Sequence, residues 1–349
     1  MTVARISVTS YVALFLLCST SFAVENNTLR WNVSVISLKR SSDKNDAPVV
    51  SGISVHPTEP RCALVGDDHL IRIYNSDSKS IESTLSGHVD WVRCTKYSVD
   101  GEKLFSAGND RKILTWTRGA DNQYSHQTFA EESRATTGMA VSADGKYLAT
   151  VGFSKELNIY EIVSGNRIWQ FECPCADMRV VAFSPTENIV AAGGRCGTIR
   201  LWHVDSGNPI RDYQPHNLRI RGLAFSNDGL DIVSCGEDRI IAVTRLNKVI
   251  SPTRTTELQS NKLMSLAVVD QDRFAVGGTN NLVSIWNIAD LTRAGRLAGH
   301  TGTVAALDAS DGQLISGGYD TAIRVWNWNP TVADRTPEPP VQFSGFSNR

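Results

Sequence analysis

Two distant segments of the chain, residues 87–116 and 299–326, contain the same parts in the same order. Each has a Gly-His pair, an alternating strand, an Asp-Gly turn, a second strand and a third strand that closes on Trp. In both segments Ser precedes Asp by four residues and Asp precedes Trp by six, in the sets Ser106, Asp110, Trp116 and Ser316, Asp320, Trp326. Two copies of one compact unit predict a repeat protein.

The repeat continues through the rest of the chain. The residue that closes the third strand recurs every 40 to 44 residues, at Tyr74, Trp116, Tyr160, Trp202, Thr244, Trp286 and Trp326. A second marker, where a first strand should begin, follows the same spacing at Val49, Trp91, Ala135, Asp177, Arg219, Leu263 and Thr303. Seven such units, each with several short strands and Gly/Asp turns, predict the blades of a β-propeller.

The Gly-His pairs and the Ser/Asp/Trp sets resemble those of WD-repeat proteins, and the resemblance extends over residues 29–328. It implies an all-β fold, a seven-bladed β-propeller of four-stranded antiparallel blades. In such propellers the N-terminus often supplies the outer strand of the last blade. Residues 29–38 have the pattern of a strand that belongs to no complete unit, so we expect them to close the last blade. The propeller is expected over residues 24–328, followed by a flexible, Pro-containing tail at 329–349.

Ser, His and Asp together can indicate a hydrolase triad, but a motif that occurs in three blades indicates a structural part. The resemblance implies hydrogen-bond networks in which Asp holds His, His contacts Ser, and Ser contacts the Trp indole. These networks are expected at His88, Ser106, Asp110, Trp116; at His216, Ser234, Asp238; and at His300, Ser316, Asp320, Trp326. For blades three and five, which lack part of the set, the sequence leaves open whether the blade is loose or packed by substitute residues.

The N-terminus has the features of a secretory signal peptide. Arg5 is followed by a short apolar run, and small residues precede a cleavage site near Ala23, so residues 1–23 are expected to be removed and the protein exported. The apolar run is too short for a membrane span. Export permits disulfides among the six remaining cysteines. In the implied propeller the loops of Cys175 and Cys196 share a face, which favours their pairing, with Cys173–Cys196 as the alternative.

The composition and the motifs offer little chemistry. The formal charge is −1 with mixed signs, so no overall basic field favours nucleic acid or an anionic membrane. Phosphate-binding, zinc-protease and nucleophile-elbow motifs do not occur. We therefore expect no cofactor, no metal site and no enzymatic activity.

Function is then expected on a propeller face, where loops vary over a rigid scaffold. In WD-repeat proteins the loops that enter the first strand and the turns between the second and third strands usually form the binding face. The aromatic and Arg residues at these positions are the candidates for partner binding: Trp91, Phe153, Arg195, Arg219 and Tyr319. We expect an exported, monomeric scaffold that binds a protein or peptide. The alternative is an exported enzyme or small-ligand binder at the central channel, for which only His56 and scattered acids offer themselves.

Overall fold

A computed structural model describes residues 31–38, 47–173, 177–246, 253–259, 261–310 and 312–328. The expected signal peptide at residues 1–23, Cys175 and the tail at 329–349 lie outside the described residues. Every regular element in the described parts is a strand, and these parts contain no helix long and apolar enough to cross a lipid bilayer.

The strands form seven four-stranded antiparallel sheets. Blade one has β2 (Val50–Val55), β3 (Arg61–Gly66), β4 (Leu70–Asn75) and β5 (Ser80–Ser86). Blade two has β6 (Val92–Tyr97), β7 (Lys103–Gly108), β8 (Lys112–Arg118) and β9 (Tyr124–Glu131). Blade three has β10 (Thr136–Val141), β11 (Tyr147–Gly152), β12 (Glu156–Glu161) and β13 (Arg167–Glu172). Blade four has β14 (Met178–Phe183), β15 (Ile189–Gly194), β16 (Ile199–His203) and β17 (Pro209–Tyr213).

Blade five has β18 (Ile220–Phe225), β19 (Asp231–Gly236), β20 (Ile240–Arg245) and β21 (Thr253–Glu257). Blade six has β22 (Leu263–Val268), β23 (Arg273–Gly278), β24 (Val283–Asn287) and β25 (Arg293–Leu297). Blade seven has β26 (Val304–Ser310), β27 (Gln313–Gly318), β28 (Ala322–Trp328) and, from the N-terminal end, β1 (Trp31–Ser37). The predicted seven-bladed propeller is confirmed.

Strand β1 closes the ring. It pairs antiparallel with β28 from Trp31 opposite Trp328 to Ser37 opposite Ala322. The predicted closing segment began at residue 29, and residues 29 and 30 lie outside the described part of the chain. Pairing of this strand covers an edge of β28 that would otherwise be open to other chains.

The apolar core lies between neighbouring blades. The first and second blades share one layer, in which Val65 and Ile73 pack with Leu104 and Trp116. The layer between the last and first blades contains residues of β2, β3, β26, β27 and β28, and Ile36 of β1 packs against it. Since the faces of successive blades bury one another, the disc is rigid, and its loops are held at fixed positions.

All seven inner strands have an irregularity at their second residue. The register against the next strand shifts there in every blade, so that this residue is left out of the regular pairing, at Ser51, Arg93, Thr137, Arg179, Arg221, Met264 and Ala305. A bulge of this kind bends the strand and changes the direction of the side chain. These seven residues line the mouth of the central channel.

Candidate functional site

Three blades contain a buried chain of hydrogen bonds. In blade two the Trp116 indole donates to Ser106 Oγ at 2.8 Å, Ser106 Oγ lies 2.7 Å from His88 Nε2, and His88 Nδ1 lies 2.7 Å from Asp110. The imidazole is neutral if the Ser hydroxyl donates to Nε2 and the Nδ1–H donates to the carboxylate. The indole, the hydroxyl and the imidazole then each donate one hydrogen bond in this chain, and the carboxylate accepts the last one. Because Ser106 is fully buried, its hydroxyl is closed to a substrate.

The corresponding sets in blades five and seven have the same geometry. His216 Nε2 lies 2.8 Å from Ser234 Oγ, and its Nδ1 lies 3.0 Å from Asp238. His300 Nε2 lies 2.7 Å from Ser316 Oγ, and its Nδ1 lies 2.9 Å from Asp320. The Trp326 indole donates to Ser316 Oγ at 2.8 Å, and Thr244 stands at the Trp position of blade five.

Blade three has a substitute network that sequence analysis missed. Glu132 stands where blades two, five and seven have His, and its carboxylate accepts hydrogen bonds from Thr150 at 2.5 Å, Asn158 at 2.7 Å and Tyr160 at 3.1 Å. The 18-residue separation of Glu132 and Thr150 equals that of His88 and Ser106. Blade three is therefore packed by substitutes. The matching separation was the signal in the sequence that could have identified them.

The loops that enter the inner strands meet the turns between the second and third strands on one face of the disc. We call this the channel-mouth face. A backbone hydrogen bond joins the two loops in six blades, at Asn109–Trp91, Phe153–Ala135, Arg195–Asp177, Glu237–Arg219, Thr279–Lys262 and Tyr319–Thr303. In the first blade the Asp67 carboxylate accepts from the Val49 N–H at 2.9 Å. Blade six therefore presents Lys262 at this position, where the sequence analysis had placed Leu263.

Glycine makes the close approach of these loops possible. A Cβ atom on Gly108, at the end of β7, would lie 2.1 Å from the Trp91 carbonyl oxygen. Gly318, at the end of β27, would meet the Thr303 oxygen at 1.9 Å in the same way. Because any larger residue would push the two loops apart, glycine at these positions fixes the geometry of the face.

Two of the predicted partner-binding residues meet at the central channel. Trp91 of blade two and Tyr319 of blade seven both line a cavity of about 300 Å³ at the channel mouth. Tyr319 is 51% exposed. Phe153 is 41% exposed. Its ring lies beside the cavity, because Arg179, which lines the cavity, stacks on the ring at 3.9 Å from its centroid.

The structure places the other two predicted residues differently. Arg219 forms ion pairs with Asp177 at 3.3 Å and with Glu237 at 3.2 Å, so much of its hydrogen-bonding capacity is used inside the protein.

Arg195 is exposed in the turn between β15 and β16. Its neighbour Cys196 is disulfide-bonded. Cys175 lies outside the described residues, so the pairing of Cys175 with Cys196 stays a prediction.

Three arginines at the channel mouth were missed by sequence analysis. Arg93, Arg179 and Arg221 are the bulged second residues of their inner strands. Arg93 lies 4.1 Å from the Trp91 ring centroid and 5.4 Å from that of Phe153. The signal available in the sequence was the common place of the three arginines, two residues after the marker that begins each unit.

His56, the residue considered for channel chemistry, lies outside the channel mouth. Its Nδ1 accepts backbone hydrogen bonds from Thr58 and Glu59, and its ring packs edge-on against Tyr97. It caps a turn. Within the described ranges, no group of three or more His, Cys, Asp or Glu side chains is arranged to hold a metal ion.

Comparison with known proteins gives the same family in several ways. The WD40 family model (WD domain, G-beta repeat) matches residues 79–117, 165–203, 207–243 and 292–327. The chain is 22% identical to "Pre-mRNA-processing factor 19 homolog 2" of Arabidopsis thaliana, over 56% of the chain and 38% of the relative. It is 23% identical to "WD repeat-containing protein 91 homolog" of Dictyostelium discoideum, over 74% and 36%. It is 26% identical to "Serine-threonine kinase receptor-associated protein" of Bos taurus, over 50% and 48%.

The chain thus spans between about a third and a half of the length of these curated relatives. The seven observed blades agree with the four repeats that the WD40 family model matches. The chain is a member of the WD-repeat family of β-propeller proteins.

Proposed function

We propose that this protein is an exported, non-catalytic scaffold that binds a protein or peptide partner through its channel-mouth face. One observation carries the proposal: Trp91 and Tyr319, from blades far apart in the chain, line the same cavity beside the stacked Arg93, Phe153 and Arg179. Proteins of the WD-repeat family typically serve as non-catalytic scaffolds for protein interactions.

The residue types at this face support partner binding. Trp, Tyr and Arg contribute most to the energy of protein interfaces, because they combine a large contact area with hydrogen-bonding groups. Here they are held on rigid strands and on loops joined by backbone hydrogen bonds. A preorganised surface loses little conformational entropy on binding, so more of the contact energy appears as affinity.

The export part of the proposal is supported by the pattern of residues 1–23 and by the disulfide of Cys196, since disulfides persist in oxidising compartments. Mass spectrometry of the purified protein tests it. We expect a mature N-terminus at Val24. A retained N-terminal segment would contradict export.

Affinity purification from the exported fraction tests the scaffold function. The tagged wild-type protein should capture a reproducible protein partner, and the double variant Trp91→Ala/Tyr319→Ala should lose it. A matched control, Val163→Ala/Ile210→Ala, removes two exposed apolar side chains away from the channel-mouth face and should capture the partner as wild type does. Equal capture by all three proteins would contradict the proposed face, provided that their melting temperatures agree.

The alternative, a small-ligand binder or enzyme at the channel, uses the same cavity. Native mass spectrometry of the purified protein distinguishes the two. A stoichiometric metal or small molecule, together with turnover of sugar or lactone substrates, would favour the alternative over the scaffold.

A further inference from the structure

The geometry points to a binding subsite for carboxylates at the channel mouth, where Arg93, Arg179 and Arg221 receive an acidic segment of a peptide partner. This inference rests on the proposed scaffold function and specifies the chemistry of its partner. It follows from the position of the three arginines, the way in which they are held, and the charges around them.

The bulges bring the three guanidinium groups to one cavity. Arg93, Arg179 and Arg221 come from blades two, four and five, and all three line the same space of about 300 Å³. They are the only charged side chains among the described residues that line it; the other lining residues are apolar, aromatic or uncharged polar. The volume is sufficient for acidic side chains, and every charged group facing it is a cation.

Each arginine is held in place by contacts with neighbouring side chains. Arg93 donates from Nε to Asn109 at 2.5 Å and stacks on Trp91. Arg179 stacks on Phe153 and donates from Nη2 to Asp177 at 3.2 Å. Arg221 donates from Nε to Glu237 at 2.8 Å. Guanidinium groups fixed in this way need little reorganisation when an anion binds.

Several donors at the mouth have no acceptor within the protein. The Nε–H of Arg179, the indole N–H of Trp91 and the hydroxyl of Thr137 belong to residues that line the cavity. All three groups are buried and make no hydrogen bond to another protein group in the described structure. A buried donor without a partner costs about 1–3 kcal/mol. A carboxylate offers only acceptors, so it complements this set of donors.

Positive charge also exceeds negative charge around the cavity. Two carboxylates, Asp177 and Glu237, pair with four cationic side chains. Asp177 contacts Arg179 and Arg219. Glu237 contacts Arg219, Arg221 and, at 3.6 Å, Lys262. Arg93 has the exposed Asp90 nearby. Burial partly desolvates the Arg93 and Arg179 guanidinium groups and thereby lowers their pKa.

This cationic mouth is local, since the whole chain has a formal charge of −1. Aromatic side chains flank it: Trp91 and Tyr319 on the cavity, and Phe153 beside Arg179. A peptide in which apolar residues surround a short acidic run fits both features. The planar fork of Arg matches the planar carboxylate in two parallel hydrogen bonds.

The test uses two fluorescein-labelled peptides, Gly-Ser-Phe-Asp-Asp-Asp-Phe-Ser-Gly and the same peptide with Asn in place of each Asp. Fluorescence anisotropy with the mature full-length protein should give an affinity roughly tenfold or more higher for the Asp peptide, since one charged pair accounts for about a factor of ten. Binding should weaken as salt is raised, because exposed charges are screened.

Variants locate the site. Arg93→Gln and Arg179→Gln should each weaken binding of the Asp peptide roughly tenfold, and Arg179→Lys, which keeps the charge but loses the fork, should weaken it less. The control Arg111→Gln removes the same charge from an exposed turn on the same face and should leave binding unchanged. Melting temperatures of all variants check that the fold is intact.

The inference is wrong if the Asp and Asn peptides bind equally or not at all, or if Arg111→Gln weakens binding as much as Arg179→Gln. It is also wrong if a labelled oligothymidine binds more tightly than the Asp peptide, since the site would then select polyanions. If a partner captured by wild-type protein is captured equally by the Arg93→Gln/Arg179→Gln variant, the scaffold function stands and only the acidic chemistry falls.

Discussion

Glu132 accepts a hydrogen bond from the Thr150 hydroxyl at 2.5 Å, across the same 18-residue separation that joins His88 to Ser106 in the preceding blade. A carboxylate has thus replaced an imidazole without loss of the connection between loop and strand. Because a carboxylate can accept several hydrogen bonds, Asn158 and Tyr160 join the same network. This difference between the two networks leads to distinct expectations for mutation and pH.

Removing the central hydroxyl should cost more in blade two than in blade five. Ser106→Ala leaves both His88 and the Trp116 indole without a buried partner, whereas Ser234→Ala leaves only His216. At about 1–3 kcal/mol for each unpaired group, Ser106→Ala should lower the free energy of unfolding by about 2–6 kcal/mol and Ser234→Ala by about half as much. Urea unfolding measures both. Ser125→Ala, on an exposed position of β9, is the control, and equal losses in blades two and five would contradict the network account.

Removing the carboxylate of Glu132 should destabilise blade three. Glu132→Ala leaves the polar groups of Thr150, Asn158 and Tyr160 without their acceptor, so we expect a loss of at least about 2 kcal/mol. Glu132→Gln keeps one amide oxygen as acceptor and should lose less. Chemical denaturation at neutral pH measures the difference, and an alanine variant as stable as wild type would show that the network contributes nothing.

The glutamine variant also carries a pH prediction. Burial raises the pKa of Glu132 above its ordinary value, although hydrogen bonds from Thr150 and Tyr160 act in the opposite direction. Because the pKa of Glu132 is higher in the folded state, its protonation stabilises the folded protein. This stabilisation is complete below about pH 4.3, the pKa of Glu in the unfolded chain, and is lost as pH rises through the folded pKa. Wild type should therefore lose stability relative to Glu132→Gln between about pH 4 and neutral pH. A constant difference would be the contrary result.

The buried histidines give the opposite pH dependence. Burial lowers the pKa of His88 and His300, although Asp110 and Asp320 raise it in part. The unfolded chain then binds protons first, so the stability contributed by these neutral imidazoles is complete above about pH 6.5 and is lost as pH falls towards the lower folded value. Protonation at Nε2 would also remove the acceptor that the Ser hydroxyl uses.

Urea midpoints measured from about pH 7.5 to about pH 5.5 should therefore fall for wild type. His88→Gln should be less stable at neutral pH but should show a flatter profile, because its amide does not titrate in this range. Parallel profiles for the two proteins would contradict the assignment.

Closure of the ring by β1 can be tested with a matched pair of substitutions. Ile36 packs against the core layer between the last and first blades, whereas its neighbour Val35 is exposed. Ile36→Asp should lower the free energy of unfolding by roughly 2–4 kcal/mol, because it places a charge against an apolar layer. Val35→Asp introduces the same residue in the same strand and should have a small effect. Thermal unfolding of both variants measures this, and a large effect of Val35→Asp alone would reverse the assigned orientation of the strand.

Much of the architecture could be predicted from the sequence alone. The spacing of the seven residues that close the third strands, from Tyr74 to Trp326, determined the number of blades, because each blade places a buried side chain at the same point of this strand. The need for a fourth strand in the last blade likewise identified the N-terminal segment as its source. The blade units repeat along the chain, so the spacing of their residues is enough to reveal them.

The tertiary structure alone decided which side chains meet at the channel. Trp91 and Tyr319 line one cavity because the ring closes, and Arg93, Arg179 and Arg221 join them because a bulge changes the direction of one residue in each inner strand. Glu132 acts in the place of a histidine because three donors converge on it. Composition averages the charges of the whole chain, whereas the fold brings a few of them together, and only their distances decide what they can bind.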